Sequence, residues 1–133
     1  AAILIEKLKI FPDEIVARNT AAQRYNAGLG NVAVVPRIPD GYTSVWAQFT
    51  IRLKAGERDK LVPALKQQGI PTAVYYPKPL HRQEAYQRFP TADGGLPVSD
   101  RLAGEVVSLP MHAYLDEATQ TRIIDAVRST LAG

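Results

Sequence analysis

The sequence predicts an α+β fold in which a small antiparallel or mixed sheet of about three strands is packed by helices. Two observations predict it. Helix-like and strand-like patterns follow one another in the order helix, helix, strand, helix, strand, loop, helix, strand, helix. The 133 residues are 46% hydrophobic and 22% charged, which is enough apolar material for one domain with a core.

The first thirty residues are predicted to form two helical segments that meet near Pro12. The composition up to about residue 10 favours a helix. Pro12 suits the first turn of the second segment, because the N–H that proline lacks would have no partner there. Gly28 and Gly30 are expected to end that segment.

The first residues lack the features of a typical N-terminus. Residue 1 is alanine, the only methionine is Met111, and the helical composition at 1–9 has no capping residue before it. We therefore expect the C-terminal part of a longer protein, with an interdomain or long helical segment at 1–30 and a small C-terminal α+β domain at 31–133. The alternative is a small protein released by processing or by removal of a tag.

The clearest strand pattern lies at 44–53, where apolar and polar residues alternate. The side predicted to face the core carries Val45, Ala47, Phe49, Ile51 and Leu53. Trp46 lies on the opposite side, and we interpret it as a residue that packs against another domain.

A helix is predicted next at 57–68. Pro63 conflicts with the helix interior and moves its expected start to about Lys60. Gly69 suits the position after the helix, and Pro71 blocks its continuation.

The remaining predicted elements are short. They are a strand at 72–76, one or two helical turns at 83–88, a helix at 98–103 and a strand at 105–109. Asp116 is expected to cap a final helix. The buried stripe of that helix is predicted to carry Ile123, Ile124, Val127 and Leu131.

The charge and composition exclude several classes of function. The formal net charge is +3, and the basic residues are interleaved with acidic ones, so the chain has no basic stripe for nucleic acid. No apolar run is long enough to span a membrane, and we expect no membrane partner. Cysteine is absent, which excludes disulfides and thiol chemistry and is consistent with a cytoplasmic location.

The run YYPKPLHRQ at 75–83 carries the strongest indication of a binding site. Its two prolines, two residues apart, stiffen the backbone, and the residues before them favour extended geometry. Two phenols, an ammonium, an imidazole and a guanidinium are attached to this stiff stretch. It predicts a loop that presents side chains to an anionic ligand, although alternation at a strand end would bury one of Tyr75 and Tyr76.

Other chemistries have little support. His81 and His112 lack carboxylate or cysteine partners at ligand spacing, so no metal site is predicted. Ser108 is near His112 in the sequence, but no triad pattern surrounds them, and no catalytic residue is predicted in this chain. We interpret His112 as a residue at the N-terminal end of the final helix and not as a substrate ligand. His81 either bonds the backbone of its loop or contacts a ligand, and both interpretations stay open.

The run VYYPKPLHRQEAY at 74–86 resembles the hYPxPLHxQxAY segment of the DegT-family sugar-nucleotide aminotransferases. Three further features match in order. AAILIEKL at 1–8 resembles the helix after that family's Asn-x-Arg…Gln segment, RN at 18–19 with RYN at 24–26 resembles its long helix, and SLPMH at 108–112 resembles its sLPmHp segment. Four matches in register cover nearly the whole chain. The chain departs from the family at Tyr75, where His is frequent, and at Ala113, where Pro is frequent.

The resemblance implies the small C-terminal domain of an aspartate-aminotransferase-like fold. Members are dimeric enzymes that use pyridoxal phosphate to move an amino group, usually from glutamate, to a nucleotide-linked keto sugar. This implies a cytoplasmic homodimer that serves polysaccharide or O-antigen-type sugar biosynthesis. None of the six lysines here has the family's Schiff-base context, so the cofactor is expected to be bound mainly by an absent N-terminal domain. The segment alone is therefore expected to be inactive.

The sequence PKPLH at 77–81 resembles the corresponding segment of members that act on a UDP-linked 3-keto uronate sugar. The residues predicted to bind the substrate are Tyr75, Tyr76, Lys78, His81 and Arg82. The three basic ones would suit the carboxylate of that sugar or the diphosphate. The departure at Tyr75 leaves open which side chain replaces the histidine that the family often has there.

Two other functions stay open at this point. One is a non-enzymatic α+β module that binds a small ligand or RNA. The other is a pyridoxamine-dependent sugar dehydratase of the same fold, in which a histidine replaces the anchoring lysine.

Overall fold

A computed structural model describes residues 1–132 as a mixed α and β structure. The helices are α1 (Ala2–Leu29), α2 (Glu57–Gln67), α3 (Pro97–Glu105) and α4 (Glu117–Ala132), and the strands are β1 (Phe49–Arg52) and β2 (Val106–Leu109). Two short 3₁₀ turns lie at Leu80–Arg82 and Glu84–Tyr86. The α+β class is therefore confirmed, with fewer strands than expected.

The first helix is continuous, so the prediction of two segments meeting near Pro12 was wrong. Pro12 lies inside α1 and removes one backbone hydrogen bond, which would have used the carbonyl of Leu8. Leu8 is exposed, so water can donate to that carbonyl. The loss is therefore small enough for the surrounding turns to continue.

The sheet consists of β1 and β2, paired antiparallel with Phe49 opposite Leu109 and Ile51 opposite Val107. Isolated bridges join Val34 to Arg52 and Ala73 to Ser108. The strand predicted at 72–76 is thus reduced to the single bridge at Ala73. Pro71 and Pro77 flank it and supply no N–H for a longer ladder.

The strand predicted at 44–53 is shorter than expected because the chain turns at Trp46. This residue has a φ of +48°, in the left-handed region that interrupts an extended run. The backbone N–H of Trp46 donates to the hydroxyl of Ser44 at 3.1 Å. As a result Val45 is half exposed rather than buried in the core.

Trp46 belongs to the core of this domain, which corrects its interpretation as a contact to another domain. Its side chain is 6% exposed, and its ring centroid lies 5.7 Å from that of Phe49. The indole N–H donates to Oδ1 of Asn19 at 2.9 Å, which satisfies its polar atom.

The core lies between one face of the sheet and helices α1, α2 and α4. Its largest fully buried apolar side chains are Tyr25, Leu29, Phe49, Ile51, Leu61, Leu65, Ile70, Val107, Ile123 and Val127. The other face of the sheet carries Thr50 and Ser108, whose hydroxyl oxygens are 2.8 Å apart. This face is directed away from the core, and Thr50 on it lines a groove at the surface.

The boundaries of α2 and α4 agree with the prediction except at the start of α2. Pro63 is tolerated inside α2, which begins at Glu57 rather than near Lys60. Gly69 has a φ of +71° just after this helix. Oδ1 of Asp116 accepts a hydrogen bond from the backbone N–H of Thr119 at 2.8 Å, which caps α4 as predicted.

The first half of α1 extends away from the core, and its large apolar side chains, Ile3, Leu4, Ile5 and Leu8, are exposed. Across residues 1–132, none of the helices combines the length and the apolar character needed to cross a membrane.

Candidate functional site

A groove of about 1010 Å³ lies between the segment 75–89, here called the arm, and helix α3. The arm supplies half of its lining residues, α3 supplies the opposite side, and Thr50 and Val106 of the sheet form part of its floor. The lining residues include Thr50, Tyr75, Tyr76, Lys78, His81, Gln83, Tyr86, Phe89, Ser99, Leu102 and Val106.

The arm is shaped by its own short-range hydrogen bonds. The 3₁₀ turn Leu80–Arg82 follows Pro79 and is closed by the N–H of Arg82 donating to the carbonyl of Pro79 at 2.9 Å. The N–H of Tyr86 donates to the carbonyl of Gln83 at 2.9 Å, and Nε2 of Gln83 donates to the carbonyl of Lys78 at 3.2 Å. The prolines and these contacts give the arm a defined shape without a β-ladder.

Tyr75 and Tyr76 both line the groove with exposed rings, 51% and 74% respectively. The expectation that one of them would be buried is therefore wrong. Their ring centroids lie 6.5 Å apart in an edge-on arrangement. Two exposed phenols at one wall can stack on a planar ligand and donate hydrogen bonds to it.

Lys78 is exposed and lines the groove, and it makes no ion pair with any residue in 1–132. Its ammonium group carries three hydrogen-bond donors on a flexible stem. Since no aspartate or glutamate lines this groove within the described part of the chain, the charge of Lys78 is available for an anionic group.

His81 and Arg82 are both directed to Asp100 in α3. Nε2 of His81 lies 3.1 Å from Oδ1 of Asp100, and the side chain of His81 is 13% exposed. Arg82 donates from Nε to Oδ1 at 3.0 Å and from Nη2 to Oδ2 at 2.8 Å. His81 still lines the groove, whereas Arg82 does not.

Asp100 stays ionised at neutral pH in this arrangement. Hydrogen bonding from the Arg82 guanidinium holds the pKa of the Asp100 carboxyl below its usual value, and the nearby His81 adds to this effect. The opposing effect of partial burial is smaller. The positive charge of Arg82 is therefore largely neutralised, which makes this residue a poorer ligand for an anion than Lys78.

Sequence reasoning did not identify Asp100 as part of the site. An acidic residue in the first turn of a helix is usually explained by the helix dipole, and Asp100 occupies that position in α3. The signal available was a carboxylate separated by less than twenty residues from a histidine and an arginine, which by itself predicts no contact.

The second histidine lies outside the groove. Nδ1 of His112 accepts a hydrogen bond from the backbone N–H of Tyr114 at 3.2 Å, just before α4. This contact lies in the loop that leads into α4, which agrees with the interpretation of His112 as a residue at the N-terminal end of that helix. Nearby, Oε1 of Glu14 accepts from Nζ of Lys7 at 2.7 Å and from the hydroxyl of Tyr114 at 2.6 Å, which ties this loop to α1.

The groove does not have the donor set of a pyridoxal phosphate site. Such a site needs a lysine amine for the aldehyde, a carboxylate beside the pyridine nitrogen, and clustered donors for the phosphate. Among the described lining residues there is one lysine, the exposed Lys78, and no carboxylate. Residues 1–132 also contain no cluster of three or more histidine, aspartate or glutamate side chains placed to hold a metal ion.

Comparison with known proteins gives a consistent result. The model of the DegT/DnrJ/EryC1/StrS aminotransferase family matches residues 1–128. The UDP-2-acetamido-2-deoxy-3-oxo-D-glucuronate aminotransferase of Pseudomonas aeruginosa is 44% identical over 122 residues, which are 90% of this chain and 32% of that protein.

Solved structures agree with the sequence matches. A crystal structure of a DegT DnrJ EryC1 StrS aminotransferase from Brucella abortus has a TM-score of 0.94 at 47% identity, covering 99% of this chain and 35% of that one. The structure of DesV from S. venezuelae in complex with a ketimine intermediate has a TM-score of 0.89 at 32% identity, covering 96% of this chain and 34% of that one. The chain thus spans about a third of the length of the relatives it matches.

Proposed function

The chain belongs to the DegT/DnrJ/EryC1/StrS aminotransferase family, and we propose that it is the C-terminal part of an enzyme that transfers an amino group to a nucleotide-linked keto sugar. In this proposal the groove between the arm and α3 holds the sugar nucleotide. The observation that carries it is Lys78, which has no ion-pair partner among residues 1–132, beside two exposed tyrosines on the wall of a groove of about 1010 Å³.

The groove chemistry supports a ligand that is partly planar, partly hydroxylated and anionic. Tyr75 and Tyr76 supply ring faces and phenol donors, and Lys78 supplies a positive charge. Leu102, Phe89 and other apolar residues complete the lining and favour exclusion of water when a ligand is bound. A nucleotide sugar combines these properties in a single molecule.

We further propose a UDP-linked 3-keto uronate sugar as the substrate. The Pseudomonas aeruginosa relative is named for such a substrate, and it is 44% identical to this chain. The carboxylate of a uronate would give Lys78 a partner that a neutral hexose lacks, and His81 lies on the same wall.

Pyridoxal phosphate would be bound by the part of the enzyme outside this chain, because the groove residues lack its donor set. Glutamate is the proposed amino donor, a homodimer is the proposed assembly and the cytoplasm the proposed location, in the service of polysaccharide or O-antigen-type sugar synthesis. These follow from the family resemblance. The role left to this chain is to bind the sugar nucleotide, orient it and cover it.

The test is a kinetic comparison in the complete protein with the two half-reactions measured separately. Lys78→Ala should raise KM for the nucleotide sugar about tenfold or more, since a charge-assisted hydrogen bond contributes about 1.5–3 kcal/mol. His81→Ala should raise the same constant. The half-reaction with glutamate should change much less, because the proposed contacts are made only to the sugar nucleotide.

Arg88→Ala is the matched control. Arg88 lies on the same arm, and its substitution also removes one positive charge. Its guanidinium lies over the ring of Phe89, 5.2 Å from the centroid, and Arg88 does not line the groove. It should leave KM unchanged. Equal effects of Lys78→Ala and Arg88→Ala, or unchanged saturation in Lys78→Ala, would contradict the proposed binding site.

A further inference from the structure

The arm is held to the rest of the domain by few polar contacts. Ala73 makes the last backbone connection before it, donating to and accepting from Ser108 at 3.1 and 2.7 Å. Between residues 74 and 95, every backbone hydrogen bond of the described chain stays inside that segment. The side-chain hydrogen bonds of Gln83 and Gln87 also end on carbonyls within it.

Asp100 makes the side-chain hydrogen bonds that leave this segment. Within residues 1–132 these are the bonds from His81 and Arg82, at 3.1, 3.0 and 2.8 Å. The two bonds from Arg82 form a bidentate pair with both carboxylate oxygens, a geometry that fixes direction as well as distance. Both donors belong to one 3₁₀ turn, and the acceptor belongs to the opposite side of the groove.

We propose that Asp100 is a positioning residue that fixes the arm across the groove and orients the ring of His81 toward the ligand. Its hydrogen bonds join the arm to α3, which lie on opposite sides of the groove. The anchoring of the arm stands on geometry alone, while the consequence for the sugar nucleotide depends on the function proposed above.

The contact also determines which nitrogen of His81 is left for a ligand. An ionised carboxylate can only accept, so Nε2 must carry the proton that is shared with Asp100. Nδ1 has no hydrogen-bond partner among residues 1–132. Nδ1 is thus the ring nitrogen of His81 that remains available for a ligand in the groove.

The pKa of Asp100 supports this arrangement, since hydrogen bonding from Arg82 keeps it below the usual value for an aspartate. The carboxylate therefore remains charged at neutral pH. Asp100→Asn keeps the shape of the side chain and removes the charge, and Asp100→Ala removes both.

The first experiment measures how firmly the arm is held, without substrate, in the complete protein. Limited digestion with trypsin is followed at the bond after Arg88, which lies in the arm and is followed by Phe89. Asp100→Ala should speed this cleavage about tenfold, because local opening becomes easier when a charged hydrogen-bond pair is lost. Arg82→Gln should have a similar effect, because it breaks the same contact from the other side.

Asp93→Asn is the matched control, since Asp93 lies in the neighbouring turn and makes no hydrogen bond or ion pair within the described chain. It should leave the cleavage rate unchanged. A far-UV circular dichroism spectrum identical to wild type verifies that each variant is folded. Wild-type cleavage rates in both Asp100→Ala and Arg82→Gln would overturn the anchoring role.

The second experiment measures the consequence for the substrate. Asp100→Asn should raise KM for the nucleotide sugar about tenfold and change kcat much less, because it disturbs the placement of groove residues rather than the chemistry. The half-reaction with glutamate should be unchanged. Faster cleavage together with an unchanged KM would uphold the anchoring and overturn the assignment of the sugar nucleotide to this groove.

Discussion

At the scale of single residues, the hydroxyl of Tyr25 connects α1 to the chain just after β2. Tyr25 is fully buried in the core, with its ring centroid 4.8 Å from that of Phe49. Its hydroxyl donates to the carbonyl of Pro110 at 2.9 Å, just after β2. Burial raises the pKa of Tyr25, so the hydroxyl stays protonated and remains a donor.

Tyr25→Phe should lower the free energy of unfolding by about 1 kcal/mol, because it leaves a carbonyl without its partner in a part-buried place. Urea denaturation of the 133-residue chain measures this. Tyr42→Phe is the control, since Tyr42 is exposed and should change stability by much less. If Tyr25→Phe lowers the free energy of unfolding no more than the control does, this hydrogen bond does not contribute to stability.

The candidate binding residues could be selected from the sequence, and their partners could not. The composition of the 75–83 run indicated a ligand-presenting loop, and the structure brings Tyr75, Tyr76, Lys78 and His81 to one groove. That they bind substrate stays a prediction. Arg82 was expected to face a ligand, but the structure pairs it with Asp100. Sequence alone gives no distance between an arm and a helix that folds against it.

At the scale of elements, helices were easier to predict than strands. The cap of α4 at Asp116 and the turn at Gly69 depend on local chemistry and were correct. The strand pattern at 44–53 failed at Trp46, because the contact of its indole with Asn19 in α1 is not visible in the local pattern. Tertiary packing overrides local alternation there.

The close packing of α1 against α4 requires a glycine at position 28. A Cβ placed on Gly28 would lie 2.7 Å from Cγ2 of Ile124, closer than packed atoms allow. Gly104, in α3, has open space around the same position. The two glycines are thus a matched pair for the same substitution inside helices.

Gly104→Ala should raise the free energy of unfolding by about 0.5–1 kcal/mol, the usual gain of alanine over glycine within a helix. Gly28→Ala should lower it by about 1 kcal/mol, because overpacking costs about 1–3 kcal/mol and exceeds that gain. Urea denaturation curves of both variants give the comparison. A stabilised Gly28→Ala would mean that α1 and α4 do not pack closely at this point.

At the scale of the whole molecule, two surfaces lack a partner within the described chain. One is the first half of α1, where Leu4 and Leu8 are exposed. We propose that this part of the 1–30 segment packs against the rest of a longer enzyme, in keeping with relatives about three times the length of this chain. The other is the groove between the arm and α3, where Tyr75, Tyr76 and Lys78 are exposed.

The fold class could be predicted at this scale because it follows from the order of elements and the amount of apolar material. The groove could not, since it forms where the arm, α3 and the sheet pack together. Thr50, Lys78 and Ser99 all line it, and they come from β1, the arm and α3. Its chemistry was visible in the sequence, but its shape depends on how these elements pack.

The central claim is that the groove between the arm and α3 holds a sugar nucleotide. The most direct test is a crystal structure of the complete protein with the UDP-linked amino uronate product bound. If the groove binds it, an anionic group of this ligand will lie about 3 Å from Nζ of Lys78, with Tyr75 and Tyr76 against the same molecule. A well-ordered ligand bound elsewhere, with solvent filling this groove, would contradict it.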